Sequence, residues 1–193
     1  MRLQERFRTP RLLLTRIGPD DLDDMLGMYR EAQVARALGG TRPESELAAV
    51  VDKLVKQWDK HGFGWWVVRD PATSRFIGRG GLRQVKIDSA VEVEVGYALL
   101  PQFWNQGFAT ELARVSVAQG FVRLGLSDIV SLALPTNRGS QRVMEKSGMR
   151  YERYVAHAGM QHVLYRLTAA SWRAGLLPAA ARSTRGVEEL VAS

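Results

Sequence analysis

Between Val91 and Val122 the chain changes its hydrophobic period once, and that change restricts its fold more than any other feature. VEVEVGYALL alternates, placing Val91, Val93 and Val95 on one face of a strand and Glu92 and Glu94 on the other. Further on, Leu112, Val115, Ala118, Phe121 and Val122 form the apolar stripe of a helix that the pattern starts near Thr110. Between the two, LLPQFWNQGFATE must turn through Gln106, Gly107, Phe108 and Ala109. The first N–H groups of a helix lack intrahelical partners and carry partial positive charge, so a strand feeding a helix this way can hold a phosphate. Gly107 and Ala109 would let the backbone approach such an anion closely. An ordinary strand–helix turn has the same pattern, so this stretch alone leaves both readings open.

The remaining patterns set the context. RLLLTR from Arg11 predicts a strand, and Pro19 to Gln33 a helix with acidic residues in its first turn. Ser45 to Lys60 predicts a second amphipathic helix, with Leu47, Val50, Val51, Leu54 and Trp58 on one face and Gly62 as its stop. FGWWVVRD and RFIGRGGLRQVK read as strands, the second weakened by three glycines that permit close approach of another backbone. Of the adjacent Trp65 and Trp66, one is expected in the core and the other facing a cleft. IVSLALP reads as a buried strand, NRGSQRVMEKSG as a short helix and HVLYRLT as a closing strand. No internal repeat is present. The order is a strand, two helices, three strands, a helix, a strand, a helix and closing strands. It predicts an α+β (mixed α/β) domain whose sheet is mostly antiparallel.

Composition narrows the chemistry. Of 193 residues 46% are hydrophobic and 24% charged, a balance that buries a core. Cysteine is absent, which excludes disulfides, zinc-thiolate sites and a cysteine nucleophile. No segment has the apolar length of a signal or a membrane span, so a cytoplasmic protein with no membrane partner is expected. The net charge of +7 admits a nucleic-acid partner, a polyphosphate pocket or a solvated basic surface. No helix-turn-helix, RNA-recognition or zinc pattern supports nucleic acid. No metal site is expected.

Asn137 follows one predicted strand and opens the short helix containing Ser140. It reads either as an N-cap or as a polar group reaching a ligand. With these segments in hand, the span from Thr9 to about Trp172 resembles the GNAT acetyltransferases, in particular their RimJ/RimL-like branch of ribosomal-protein N-acetyltransferases. TPRLLLTR, FIGRGGL, VEVGYALLPQFWNQGFATE, NRGSQRVMEKSGM and LYRLTAASW carry the resemblance, in order and at matching spacing.

The resemblance implies a splayed sheet with helices on both faces and acetyl-CoA as co-substrate. It implies that the backbone at Leu99 and Leu100 pairs with pantetheine. Backbone N–H groups of Gln106, Gly107, Phe108, Ala109 and Thr110 would cradle the pyrophosphate, with Asn137 near pantetheine or phosphate and Ser140 near the thioester sulfur. Two positions depart from the family pattern. Asn105 replaces a glycine of the phosphate turn, although asparagine tolerates positive φ better than most residues. Met144 stands where many members place a tyrosine acid, which leaves Ser140 as the available hydrogen-bond donor.

Direct attack of an amine on the thioester requires a base and an oxyanion donor. Glu94 is the first candidate base and Glu92 the second; both also read as solvent-facing residues of a half-exposed strand. His61, His157 and His162 read as structural or surface residues, with His157 and His162 nearest to a substrate cleft. The expected organisation is an N-terminal extension over 1–8, an acetyltransferase domain over 9–175 and a tail over 176–193. The acceptor is a small-molecule amine or a protein N-terminus, and a homodimer is the expected assembly. The competing reading is a catalytically weak acyl-CoA-binding domain of the same fold.

Overall fold

The computed structural model describes residues 1–41 and 43–180. The chain runs β1 (Arg6–Arg8), β2 (Leu13–Arg16), α1 (Leu22–Arg30), α2 (Ala32–Ala37), α3 (Glu44–His61), β3 (Trp65–Arg69), β4 (Phe76–Ile87) and β5 (Ala90–Leu99). It continues with α4 (Phe108–Arg123), β6 (Asp128–Ala133), α5 (Arg138–Lys146), β7 (Arg150–His157), β8 (Met160–Thr168) and α6 (Ala169–Ala180). The strands form one mixed sheet in the order β1-β2-β3-β4-β5-β6-β8-β7. Every neighbouring pair is antiparallel except β5 and β6, which run parallel. The expected mixed α/β class with a mostly antiparallel open sheet is the observed one.

The glycines of β4 let neighbouring groups approach the strand closely, and Gly80 does so for α4. The strand is continuous through them, and a Cβ on Gly80 would lie 2.7 Å from both the Gly96 carbonyl and Leu112 Cδ2 of α4. Hydrogen at Gly80 leaves room for Leu112 of α4 against the strand. On the opposite face α1 reaches the sheet through Tyr29, whose hydroxyl accepts from Arg79 at 2.9 Å. Arg79 is buried and stacks 3.7 Å from the Trp65 ring, so a cation takes a core position by covering an aromatic face. Trp65 and Trp66 are both buried, which removes the expected split between core and cleft.

Several boundaries differ from the sequence expectation for identifiable reasons. Residues 6–8 add an edge strand, and Leu3 and Phe7 enter the core, so the N-terminal segment is integrated into the sheet. The first expected helix is broken at Glu31, whose backbone is extended, giving α1 and α2. Helix α4 begins at Phe108, two residues before Thr110. Strand β7 was not expected: of RYERYVAH only Val155 is buried, so the alternation carries no apolar signal. The β5 face pattern also fails at two positions. Val91 is 68% exposed beside the β4–β5 hairpin tip, whereas Glu94 is 4% exposed, stabilised by an ion pair to Arg83. At the C-terminus, α6 carries helix through Ala180 across the start of the expected tail. Residues 181–193 of that tail lie outside the described residues. Among the described residues, no helix is long and apolar enough to cross a membrane.

Candidate active site

The sheet opens where the parallel pairing of β5 and β6 fails. Strands β5 and β6 are in register at Glu94 and Val130, and one step on the Ser131 hydroxyl donates to the Val95 carbonyl at 2.9 Å. Beyond that bond the strands part. Because the Val95 carbonyl faces β6, alternation turns the main-chain groups of Tyr97 and Leu99 toward the gap, without a strand partner on that side, and the Leu99 carbonyl there accepts from Trp104 Nε1 at 2.7 Å. The next residue faces the other way, and the Leu100 N–H is already bonded to the Ile77 carbonyl at 2.9 Å. A cavity of about 630 Å³ fills the opening between β5, α2, α5 and the start of α4. Leu99, Gly107, Ala109, Thr110, Asn137 and Ser140 line it, as does Tyr97; Leu100, Gln106 and Phe108 do not.

The turn into α4 presents donors. Asn105 takes a left-handed conformation at φ 59° and Gly107 another at φ 85°, so asparagine supplies the backbone shape that its neighbour obtains from glycine. Glu111 N–H closes the first bond onto the Gly107 carbonyl at 3.0 Å, leaving the N–H groups of Phe108, Ala109 and Thr110 without helical acceptors. A clamp from the N-terminal segment fixes this geometry. Arg11 donates to the Gln106 carbonyl at 2.9 Å and to the Glu111 carboxylate at 2.7 Å, and the Thr9 hydroxyl donates to Glu111 at 2.5 Å. Arg11 also covers the Phe108 ring at 4.5 Å. Sequence reasoning missed this set, because nothing local links Thr9 and Arg11 with Glu111.

Asn137 acts as the N-cap of α5, its Oδ1 accepting from Ser140 N–H at 3.0 Å. Its Nδ2 donates to the Ala37 carbonyl at 3.4 Å and so ties α5 to α2. Ser140 faces Tyr97, hydroxyl to hydroxyl at 3.2 Å, and the Tyr97 phenol donates to the Ser140 carbonyl at 3.1 Å. Burial pushes the Tyr97 phenol well above its ordinary pKa. Met144 is buried and offers no donor. Arg36, Arg138, Arg142 and Lys146 add positive charge to the cavity wall. The pattern TNRGSQR does place several of these residues on one short helix, but only the fold turns them toward β5.

Neither candidate base lines the cavity. Glu94 Oε2 accepts from Arg83 Nε at 2.5 Å, and Arg83 stacks 4.7 Å from Trp65. Glu92 accepts at both oxygens from Arg166, at 2.9 and 3.1 Å. Arg166 also binds Asp128 and Glu152, which makes Glu92 part of an inter-strand ion network. His157 and His162 pack edge to face with centroids 5.7 Å apart, and burial lowers the His157 pKa. His61 packs beside Phe63, with ring centroids 6.0 Å apart.

A splayed parallel pair beside a donor-rich helix start is the arrangement to compare with known proteins. The model of the acetyltransferase (GNAT) domain family matches residues 11–150. The chain belongs to the GNAT acetyltransferase family. Among GNAT relatives, it is 29% identical over 149 residues to the N-acetyltransferase YoaA of Bacillus subtilis, covering 76% of this chain and 83% of that one. A GNAT-family acetyltransferase structure from Bordetella pertussis superposes with a TM-score of 0.74 at 21% identity, over 84% of this chain and 99% of that one. A ribosomal-protein-serine acetyltransferase structure from Vibrio cholerae superposes with a TM-score of 0.70 at 19% identity, over 87% and 99%. These two likenesses concern the GNAT fold.

Proposed function

We propose that this GNAT protein transfers an acetyl group from acetyl-CoA to a primary amine by direct attack in a ternary complex. The observation that carries the reading is the turn at Asn105–Gly107, which aims free helix-start N–H groups into a cavity opened by the splay of β5 and β6. The cavity suits acetyl-CoA on three counts. The N–H groups of Ala109 and Thr110, which line the cavity, would hold pyrophosphate. The gap side of β5 at Tyr97 and Leu99 would pair with the pantetheine amides. Arg36, Arg138, Arg142 and Lys146 match the cofactor's remaining negative charge. Leu100 and Gln106 lie outside the cavity lining and contribute shape, and the Leu100 N–H is already bonded to the Ile77 carbonyl.

Acetyl-CoA would supply an activated thioester carbonyl; the protein's residues hold, orient and deprotonate. Ser140 donates a hydrogen bond toward the sulfur, and Asn137 sets the helix turn that carries Ser140. Glu94, its side chain fixed by Arg83, takes the amine proton through water. Glu92, bonded to Arg166 at both oxygens, is assigned no proton-transfer role. Alignment of amine and thioester supplies much of the acceleration. The acceptor is a small-molecule amine or a protein N-terminus. The RimJ/RimL-like sequence signatures and the Vibrio ribosomal-protein enzyme of the same fold favour N-terminal peptides as the first acceptors to try.

Calorimetry with acetyl-CoA, CoA and ATP tests the cofactor, followed by an amine screen that begins with N-terminal peptides. Binding of acetyl-CoA and CoA but not ATP, with acetylation of an amine, is the expected result. Tight binding with no transfer would instead favour an acyl-CoA-binding domain, the reading that buried Met144 at the usual acid position supports.

A further inference from the structure

Ser140 can assist a leaving sulfur only if its hydroxyl proton points into the cavity, and the hydrogen bonds around it decide where that proton goes. A phenol has one proton. Tyr97 gives its proton to the Ser140 carbonyl at 3.1 Å, so the bond between the two hydroxyls at 3.2 Å must use the serine proton. In this arrangement the Ser140 proton is turned onto Tyr97 and away from a ligand. Both residues line the cavity, and both acceptors on Ser140 lie within reach of the phenol oxygen. Rotation of the phenol proton from the Ser140 carbonyl to Ser140 Oγ therefore needs no heavy-atom movement, and it releases the serine proton.

We infer that Tyr97 is a positioning residue: when a thioester fills the cavity, its phenol donates to Ser140 Oγ and turns the Ser140 hydroxyl onto the sulfur. This rests on the acetyl-transfer reading above. In the step, the amine lone pair forms the C–N bond, the C–S bond breaks, and its electron pair leaves on sulfur as a thiolate. That thiolate accepts the Ser140 hydrogen bond, while the amine proton goes to Glu94 through water. Neither Tyr97 nor Ser140 loses a proton. Burial keeps the phenol neutral, so it remains a donor rather than an acid. A hydroxyl that itself accepts a hydrogen bond is the stronger donor for it.

The test compares the full-length chain with Y97F, S140A and the double variant, and its probe is CoA itself. The thiol of bound CoA is titrated by its ultraviolet thiolate absorbance, alongside calorimetric affinity and a thermal melt for each variant. The bound thiol is expected to ionise at lower pH in the wild type than in Y97F, by about one pH unit, a tenfold effect. S140A should raise it similarly, and the double variant should add nothing to S140A. Folded Y97F with the wild-type thiol titration overturns the inference, as does strict additivity of the two single changes. Because the titration needs no acceptor, intact titration behaviour without transfer to any amine overturns the proposed function alone. Failure of the wild type to bind CoA overturns both.

Discussion

At the scale of single residues, backbone conformation matters as much as side-chain chemistry. Asn105 sits at φ 59° on the cavity wall, a conformation open to glycine and asparagine and strained for a β-branched residue. Asn105→Gly is therefore expected to keep acetyl-CoA affinity near wild type, whereas Asn105→Val should weaken it, measured by calorimetry. Asn137 presents a different balance. Its Oδ1 caps α5 through Ser140 N–H, so Asn137→Ala should cost about 1 kcal/mol in urea unfolding. It should also lower turnover, because the same turn carries Ser140. A stability loss with unchanged kinetics would confine Asn137 to capping.

Between elements, two contacts position the site. The first is the clamp of Thr9 and Arg11 on Glu111, which anchors the start of α4 to the segment preceding β2. Glu111→Ala removes the carboxylate that both residues share and leaves Arg11 with the Gln106 carbonyl and the Phe108 ring. We expect acetyl-CoA affinity to fall about tenfold, equivalent to 1.4 kcal/mol, with little change in the far-ultraviolet spectrum. The second is the contact of α4 with β4. A Cβ on Gly80 would lie within 2.7 Å of main chain and of Leu112, so Gly80→Ala must push helix and strand apart. The expected loss is about 1–3 kcal/mol by denaturant titration.

Across the whole molecule, the sheet joins two halves of different character. Its first half buries aromatic and aliphatic residues around Trp58, Trp65 and Trp66; in its second, Arg166 of β8 links carboxylates from β5, β6 and β7. His157, at the end of edge strand β7, lies near Glu94 and Arg83, and burial is the main cause of its lowered pKa. A folded pKa below the unfolded value means that the neutral form favours the fold. This contribution is complete above the ordinary histidine pKa and is lost as pH falls through the lower folded value. Unfolding midpoints should thus decline as pH falls below the ordinary histidine pKa, and His157→Gln should flatten that decline. An equal decline in the variant would assign it to other groups.

Periodicity and turn chemistry were sufficient for much of the architecture. The strand at VEVEVGYALL, the helix after Gly107, the Gly62 stop and the Asn137 cap are local signals, each fixed by residues within a few positions, although Val91 and Val122 of the expected apolar faces are exposed. Local signals failed where burial is decided at a distance. Strand β7 is covered on too few positions to look amphipathic, and Glu94 is buried because Arg83 lies across the hairpin to neutralise it. Likewise, sequence marked Gly107 and Ser140 as candidates, yet the Arg11–Glu111 clamp and the Tyr97–Ser140 pair join residues far apart in the chain. Sequence by itself determined which backbone segments could form a sheet and a helix start rich in free N–H groups. Only the tertiary structure decided where β5 and β6 part, because that depends on one parallel register and on the helices packed against it.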